Sequence, residues 1–480
     1  MSAWLAYFAA NSSILAALTF LFYLFAFVCA VREVMVSRTS QGSIAWLISL
    51  ALLPFPTVII YFVVGWKHFS DYGLEQIGVG RLTRAGRSRG MPLVDEAGNK
   101  AWPVLNNVAQ VPFLTGNEAS LLIDGQATFD SIFAGIDGAK SWLLVQFYIV
   151  RDDALGKVLA DKLIARAQAG VAVFLLYDDV GSHELPKAYV ERLRTGGVKV
   201  SAFNHRHPFL RFYGPTRINY RNHRKIVVAD GLEAWVGGHN VGVEYLGQDK
   251  RFGRWRDTQV SVRGPAALAC ALVFREDWQW ATGEELTPTF PSTIATPGDQ
   301  SVLVMPTGPA DRFEDCAIAF TDVISQARER IWIVSPYFVP DLDVRTALYG
   351  AVLRGVEVRI LLPQKPDHIL VWLASNAHAN AMMEHGICVY RYTDGFLHEK
   401  VILVDDRIAG VGTVNFDNRS FAINFELTLW FISRQMISDV EAMLTVDFAN
   451  ARRTAPEEVA RIPFYRRFIG QAAKLLSPML

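Results

Sequence analysis

The chain has 480 residues, 51% of them hydrophobic, and its 47 Lys and Arg balance 47 Asp and Glu. That length exceeds one ordinary domain, and zero net charge gives no global field for gathering nucleic acid, although it leaves room for a local basic groove. The four cysteines, Cys29, Cys270, Cys316 and Cys388, form no Cys-x-x-Cys pair, which argues against a zinc site or a disulfide framework and fits a reducing compartment.

The apolar excess lies at the start of the chain. Ile14 to Val31 is an uncharged run and Ile44 to Val64 a longer one, each near the ~20 residues that span a bilayer core as helix. No Lys or Arg precedes the first run, and the second follows after a short loop. Residues 1–65 are therefore expected to form a two-helix transmembrane anchor in preference to a cleaved signal peptide. Pro54 and Pro56 kink the second run or make it re-entrant. Lys67, Arg81, Arg84, Arg87 and Arg89 after the hairpin favour a cytoplasmic body, while Arg32 and Arg38 in its loop pull the other way.

Residues 66–115 read as a polar connector. Beyond it the chain repeats itself over 116–290 and 301–452, with a Pro-, Thr- and Ser-rich linker from Thr287 to Gln300. Trp142–Val150 in the first repeat answers Ile331–Val339 in the second, and Gly170–Tyr177 answers Gly355–Leu362, each pair of runs separated by a helical pattern. Short β-branched runs alternating with helices predict βαβ units and a largely parallel sheet. The fold class is α/β: two pseudo-twofold-related sandwich repeats behind the transmembrane anchor.

The chemistry is duplicated in register with the fold. Asn222-His223-Arg-Lys225-x4-Asp230 precedes Gly237-Gly-His-Asn240, and Leu397-His398-Glu-Lys400-x4-Asp405 precedes Gly412-Thr-Val-Asn415. Alternation along a strand sets each His beside its Lys. The apolar runs 226–229 and 401–404 make those strands central. Packing the repeats together then surrounds one anion-sized space with two imidazoles, two ammonium groups and two amides. One neutral imidazole can attack a phosphodiester in line while the opposite imidazolium protonates the leaving alkoxide. Lysines and asparagines stabilise the equatorial oxygens, so that no metal or cofactor is required.

The candidate catalytic residues are thus His223, Lys225, Asp230, His398, Lys400 and Asp405, with Asn240 and Asn415 as phosphate ligands. Asp230 and Asp405 read equally well as structural support through backbone hydrogen bonds. Each histidine needs a carboxylate to fix its tautomer. Asp257 and Glu426 head the next strand of each repeat, and the expectation is Asp257 for His223 and Glu426 for His398.

These motifs give the chain a family likeness. Together with Gln146-Phe-Tyr-Ile, Tyr177-Asp178, Gly181-Ser182, Glu244-Tyr245, Trp255-Arg-Asp257, Pro336-Tyr-Phe, Asn415-Phe-Asp-Asn-Arg-Ser420 and Leu-Leu-Ser-Pro before Met479, it resembles the phospholipase D superfamily. Within that superfamily it is most similar to the bacterial cardiolipin synthases. The resemblance implies joining of two phosphatidylglycerol molecules to give cardiolipin and glycerol through a phosphohistidine, with His223 as nucleophile and His398 as acid and base. It also implies a multi-pass protein of the bacterial inner membrane, with phosphatidylglycerol and other anionic phospholipids as partners. The Ser usual after the motif glycine is Gly238 in one copy and Thr413 in the other, which would alter a hydroxyl contact to phosphate. Hydrolysis to phosphatidic acid, or phosphatidylethanolamine as co-substrate, are the alternatives. A nuclease would want a basic channel, so no nucleic-acid partner is expected; homo-oligomerisation stays open.

Two further segments carry signals. His205 and His207 lie among arginines and aromatics before the first motif, where a headgroup contact and a plain surface loop stand equal, and His239 falls inside the phosphate motif. Residues 453–480 mix Arg466, Arg467 and Lys474 with large apolar residues, the pattern of an interfacial amphipathic helix or of a helix packed on the body.

Overall fold

The computed structural model describes residues 2–36, 40–61, 65, 93–109, 111–203, 219–286 and 294–477. Most of the connector, including His68 and the arginines at 81–89, the His205 and His207 segment, the start of the linker and the last three residues lie outside the described residues. Two compact units are present, the first holding residues 1–70 and the second nearly all the rest.

In the first unit, α1 (Ser2–Met35), α2 (Ser40–Leu52) and α3 (Pro54–Ile60) pack through Ala26, Cys29, Leu50, Val58 and Tyr61. Ala16–Met35 is long and apolar enough to cross a bilayer; α2 is apolar but shorter. The prolines divide the second run, with Pro54 opening a new helix and Leu53 leaving the helical conformation. Proline cannot donate to the preceding turn, and the Thr57 hydroxyl donates to the Ser49 carbonyl at 3.0 Å, supplying a bond across the break. Buried Glu33 accepts from the Ser43 and Tyr61 hydroxyls, so the acidic group on α1 has partners within the hairpin.

The second unit is built on one fifteen-stranded sheet. Its first half contributes β1 (Leu114–Ile123), β2 (Trp142–Phe147), β3 (Ala172–Asp178), β4 (Lys199–Phe203), β5 (Ile226–Ala229), β6 (Glu233–Gly237) and β7 (Thr258–Arg263). The second contributes β8 (Gln300–Thr307), β9 (Arg330–Val334), β10 (Glu357–Pro363), β11 (Cys388–Tyr392), β12 (Val401–Val404), β13 (Ile408–Gly412), β14 (Glu426–Phe431) and β15 (Ala451–Arg453). The order from one edge is β4-β3-β2-β5-β6-β7-β1, and from the other, after β15, β11-β10-β9-β12-β13-β14-β8; β1 and β8 meet in the middle. The strand order is thus repeated about the central seam.

Parallel pairing is confined to β2-β3-β4 and β9-β10-β11, and every other neighbouring pair is antiparallel. The expected largely parallel sheet is therefore corrected to a mixed one. The reason is local: Asp230-Gly231, both at positive φ, turn β5 back into β6, and an Asp-Gly pair between apolar runs is a strong hairpin signal. The seam itself is pinned by side chains. Asn117 donates to the Leu114 and Gln300 carbonyls at 2.6 and 3.1 Å, and the Gln300 side chain accepts from the Ala119 amide at 2.6 Å. Each half keeps its own apolar cluster, around Leu143, Leu159 and Trp235 in the first and Ile333, Phe320 and Trp430 in the second.

Candidate active site

Two extended crossings bring the motifs together. Asn222 bridges Phe425 in parallel, with the His223 amide donating to the Phe425 carbonyl at 2.9 Å and the Phe425 amide to the Arg221 carbonyl at 2.8 Å. In the other half Phe396–Leu397 pairs in parallel with Trp255–Arg256, and the His398 amide donates to the Arg256 carbonyl at 2.8 Å. The residue before each histidine thus pairs with the residue before the other half's carboxylate.

That interlock decides the histidine partners. His223 Nδ1 lies 3.0 and 3.1 Å from the Glu426 carboxylate oxygens, and His398 Nδ1 lies 2.7 Å from Asp257 Oδ2. The expected pairing within each repeat is therefore reversed, each histidine being held by the carboxylate of the opposite repeat. Both carboxylates are fully buried. An Nδ1 proton donated to a carboxylate leaves Nε2 as the nucleophilic or proton-accepting nitrogen.

The two carboxylates are seated differently. Glu426 accepts from the Thr413 hydroxyl at 2.5 Å and from the Asn424 side chain at 3.2 Å. The Thr413 hydroxyl, which stands where the family's usual Ser would be, is thus committed to Glu426, and it also accepts from the Leu427 amide. At the equivalent Gly238, a Cβ would stand 2.0 Å from Asp257 Oδ1, so only glycine admits that carboxylate. Asp257 further accepts from the Thr258 amide at 2.8 Å.

Lys225 donates to the His223 carbonyl at 2.7 Å and lies 5.4 Å from the centre of the Tyr148 ring, which packs edge-on against His223. Lys400 donates to the His398 carbonyl, and its Nζ stands 2.9 Å from His398 Nδ1. Burial, joined by the charge of both lysines, holds each imidazole below the usual histidine range, His398 at about 4. Burial pulls Lys225 well down and Lys400 to about 8. Burial alone would raise the carboxylates, but the cations and imidazoles beside them prevail and hold Asp257 and Glu426 below the usual range. These shifts favour the neutral form of both imidazoles. A bound anion would reverse the balance, favouring charged lysines and one imidazolium.

Asn240 Oδ1 accepts from the Ile149 amide at 3.0 Å while its amide group donates to the buried Tyr245 hydroxyl at 2.7 Å. Asn415 is buried, and its Oδ1 has no hydrogen-bond partner among the described residues. Asn240 is thus engaged in positioning the loop after β6, whereas the Asn415 oxygen is uncommitted among the described residues. His239 is fully buried beside Thr128 and Phe129.

Asp230 and Asp405 are not part of this cluster. Asp230 accepts from the amides of Lys140, Ser141 and Trp142 at 2.7–2.8 Å, and Asp405 from those of Arg328, Glu329 and Arg330 at 2.9 Å. Both occupy the left-handed region at the far end of their strands, with φ of 54° and 50°. The seven-residue separation from the histidines amounts to roughly 20 Å along an extended chain. These are the contacts of the structural alternative: they fasten β5 and β12 to the starts of β2 and β9.

The residue between each His and Lys had no assigned role. Alternation turns it to the opposite face, where Arg224 pairs with buried Asp277 at 2.8 Å and donates to the Glu426 and Thr307 carbonyls. Glu399 instead meets Arg256, which also forks onto Asp447 at 2.6 and 2.7 Å. Asp178 receives the Asn222, Val180 and Gly181 amides, and Gln146 donates to Asn222 and Asp277. The available sequence signal was a charged residue at the same place in both motifs, between the His and Lys that lead into each apolar strand.

Comparison with known proteins supplies the family. The family model described as "Cardiolipin synthase, PLD-like domain" matches residues 320–447. Cardiolipin synthase A of Pseudomonas putida (strain W619) is 42% identical over 471 residues, covering 96% of this chain and 97% of its own. The protein of that name from Pseudomonas aeruginosa (strain LESB58) is 43% identical over 467 residues, covering 95% and 94%. The solved phosphatidylserine synthase of Haemophilus influenzae covers 80% of this chain and all of its own with a TM-score of 0.57, and at 17% identity it speaks to the fold alone. With paired His-Lys motifs closing on one site and such identity along nearly its whole length, the chain belongs to the cardiolipin synthases of the phospholipase D superfamily, a family of phosphatidyltransferases.

Proposed function

We propose that the protein transfers a phosphatidyl group from one phosphatidylglycerol to the headgroup hydroxyl of another, giving cardiolipin and glycerol. The observation that carries this reading is the crossed His223–Glu426 and His398–Asp257 pairing, which presents two Nδ1-anchored imidazoles to one cation-lined space. His223 Nε2 attacks phosphorus, the P–O bond to the glycerol headgroup breaks, and His398 Nε2 gives its proton to the departing oxygen. His398, now neutral, takes the proton of the incoming hydroxyl, whose oxygen displaces the histidine as the P–N bond breaks. Lys225 and Lys400 each donate one bond to backbone and, as three-donor ammonium groups, retain protons for the non-bridging oxygens. Asn415, and Asn240 through the amide proton not given to Tyr245, complete the phosphate surround, Asp257 and Glu426 orient, and Asp230 and Asp405 support.

Membrane association goes with the family and with the apolar helix Ala16–Met35. Both apolar helices of the hairpin sit in the bacterial inner membrane in this reading, with the body on the cytoplasmic side. The chain divides at 1–65, 66–115, 116–290, 301–452 and 453–480. Water as the acceptor is disfavoured because the reacting groups are buried.

The test is incubation of the full-length enzyme with phosphatidylglycerol liposomes, following cardiolipin, phosphatidic acid and glycerol. Cardiolipin and glycerol in equal amounts are expected, with His223→Ala and His398→Ala each inactive. Phosphatidic acid as the main product, or near wild-type transfer by either variant, would overturn the reading.

A further inference from the structure

The tail contains a helix packed the opposite way from an ordinary surface helix. Phe464–Lys474 turns Gly470 and Ala473 inward, with Ser477 just beyond. A Cβ added at Gly470 would lie 3.5 Å from the Ala377 methyl group, and Ala473 joins Val339, Leu373 and Ala374. The large side chains face out: Phe464 is 81% exposed, Phe468 64%, Tyr465 59% and Ile469 47%, and Leu475, just past the helix, is 82% exposed. A globular protein in water buries such residues against its core and leaves the small ones to chance. Clustered exposure of this kind marks an interaction surface.

Charge identifies the occupant. The helix carries Arg466, Arg467 and Lys474 and no Asp or Glu. Cations flanking exposed aromatics suit a plane of anionic headgroups over acyl chains, with the rings inserted and the long cationic stems reaching back to phosphate. The docking of the helix is also specific. Ser477 Oγ lies 3.0 Å from His378 Nε2, and the Asn418 side chain donates to the Ser477 carbonyl at 3.0 Å. Asn418 follows Asn415 by three residues, and Val339 pairs with Asp417. The small-residue face is thus fastened to the segment that carries a phosphate ligand of the site.

We propose that the outward face of Phe464–Lys474 is a docking surface for an anionic phospholipid bilayer, separate from the amino-terminal hairpin and placed beside the active-site loop. The surface does not depend on which lipid acceptor the reaction uses. Its test reads depth rather than turnover. A nitroxide is placed at Phe468→Cys in the full-length protein carrying Cys388→Ser; the other native cysteines are buried. Its collisions with oxygen and with a water-soluble nickel chelate are measured in vesicles of phosphatidylcholine and phosphatidylglycerol, with Leu353→Cys, 88% exposed, as the control. The expected result is an oxygen-to-chelate ratio on the order of ten times that of the control, falling in vesicles of phosphatidylcholine alone. A ratio equal to the control would show a water-facing helix. Low access to both reagents would show a second protein copy on this face, and an equal ratio in the two vesicles would show no role for charge. Each of these three results overturns the proposal.

Discussion

Replacing Glu426 with Gln tests the crossed pairing where it matters most. Both Glu426 oxygens lie within 3.1 Å of His223 Nδ1, and they already accept from Thr413 and Asn424. A glutamine in either orientation sets an NH2 group where one acceptor stood. It removes the anion opposite Lys225 and favours a tautomer with the proton on Nε2, the nitrogen that must attack. Losing a charge-assisted hydrogen bond costs about 1.5–3 kcal/mol, or roughly 10- to 150-fold, and inversion of the tautomer raises this toward ~10⁴. The same substitution at Asp257 strikes His398 instead. With a nitrophenyl phosphodiester, whose leaving group needs no proton, release should be largely restored in Asp257→Asn and His398→Ala but not in Glu426→Gln or His223→Ala. The refuting pattern does not depend on which histidine is the nucleophile. If Asp257→Asn added nothing to His223→Ala while remaining additive with His398→Ala, the carboxylates would serve their own repeats and the reasoning from the crossings would fall.

The remaining predictions address stability and charge. His398 falls from the ordinary histidine value to about 4 in the folded chain, so the unfolded chain takes up its proton first. Stability is then fully present above pH ~6.5 and is lost as pH falls toward about 4, by as much as ~3 kcal/mol from this group. Thermal unfolding in detergent should show Tm falling over that window in the wild type and less steeply in His398→Ala; parallel slopes would refute it. Asp230→Ala removes three backbone hydrogen bonds and puts alanine at φ 54°, costing about 2–4 kcal/mol while kcat per folded molecule stays within a few-fold. Lost turnover at unchanged Tm would restore Asp230 to the catalytic set. EDTA should leave transfer largely intact, since Lys225, Lys400 and the amides supply the charge and donors at phosphorus; complete loss rescued by one specific divalent ion would contradict that assignment.

Much of the site was written locally, and for physical reasons. The period of two along a strand places His223 beside Lys225 and turns Arg224 away, and the apolar runs after each motif bury the strands that carry them. Uncharged stretches such as Ile14–Val31 can be weighed against bilayer thickness without any fold. The Asp230-Gly231 turn was also legible, and with it the antiparallel hairpin that the parallel reading passed over.

Which carboxylate serves which histidine was not legible, because the two repeats offer Asp257 and Glu426 at equivalent places and local sequence is symmetric between them. Glu426 and His223 are 203 residues apart, and only the pairing of Asn222 with Phe425, and of Leu397 with Arg256, sends each carboxylate across the twofold. The same holds for the tail, whose composition admits either a packed or a lipid-facing helix. The inward stripe of Gly470, Ala473 and Ser477 is fixed by contacts with the helix Ile369–Met383 and with Asn418 at the start of the helix Asn418–Ala422, and it leaves Phe464 and Phe468 facing out. Residue type and spacing determine what each strand and helix can present. Which group meets which is set by long-range packing, a property of the closed sheet rather than of any stretch of chain.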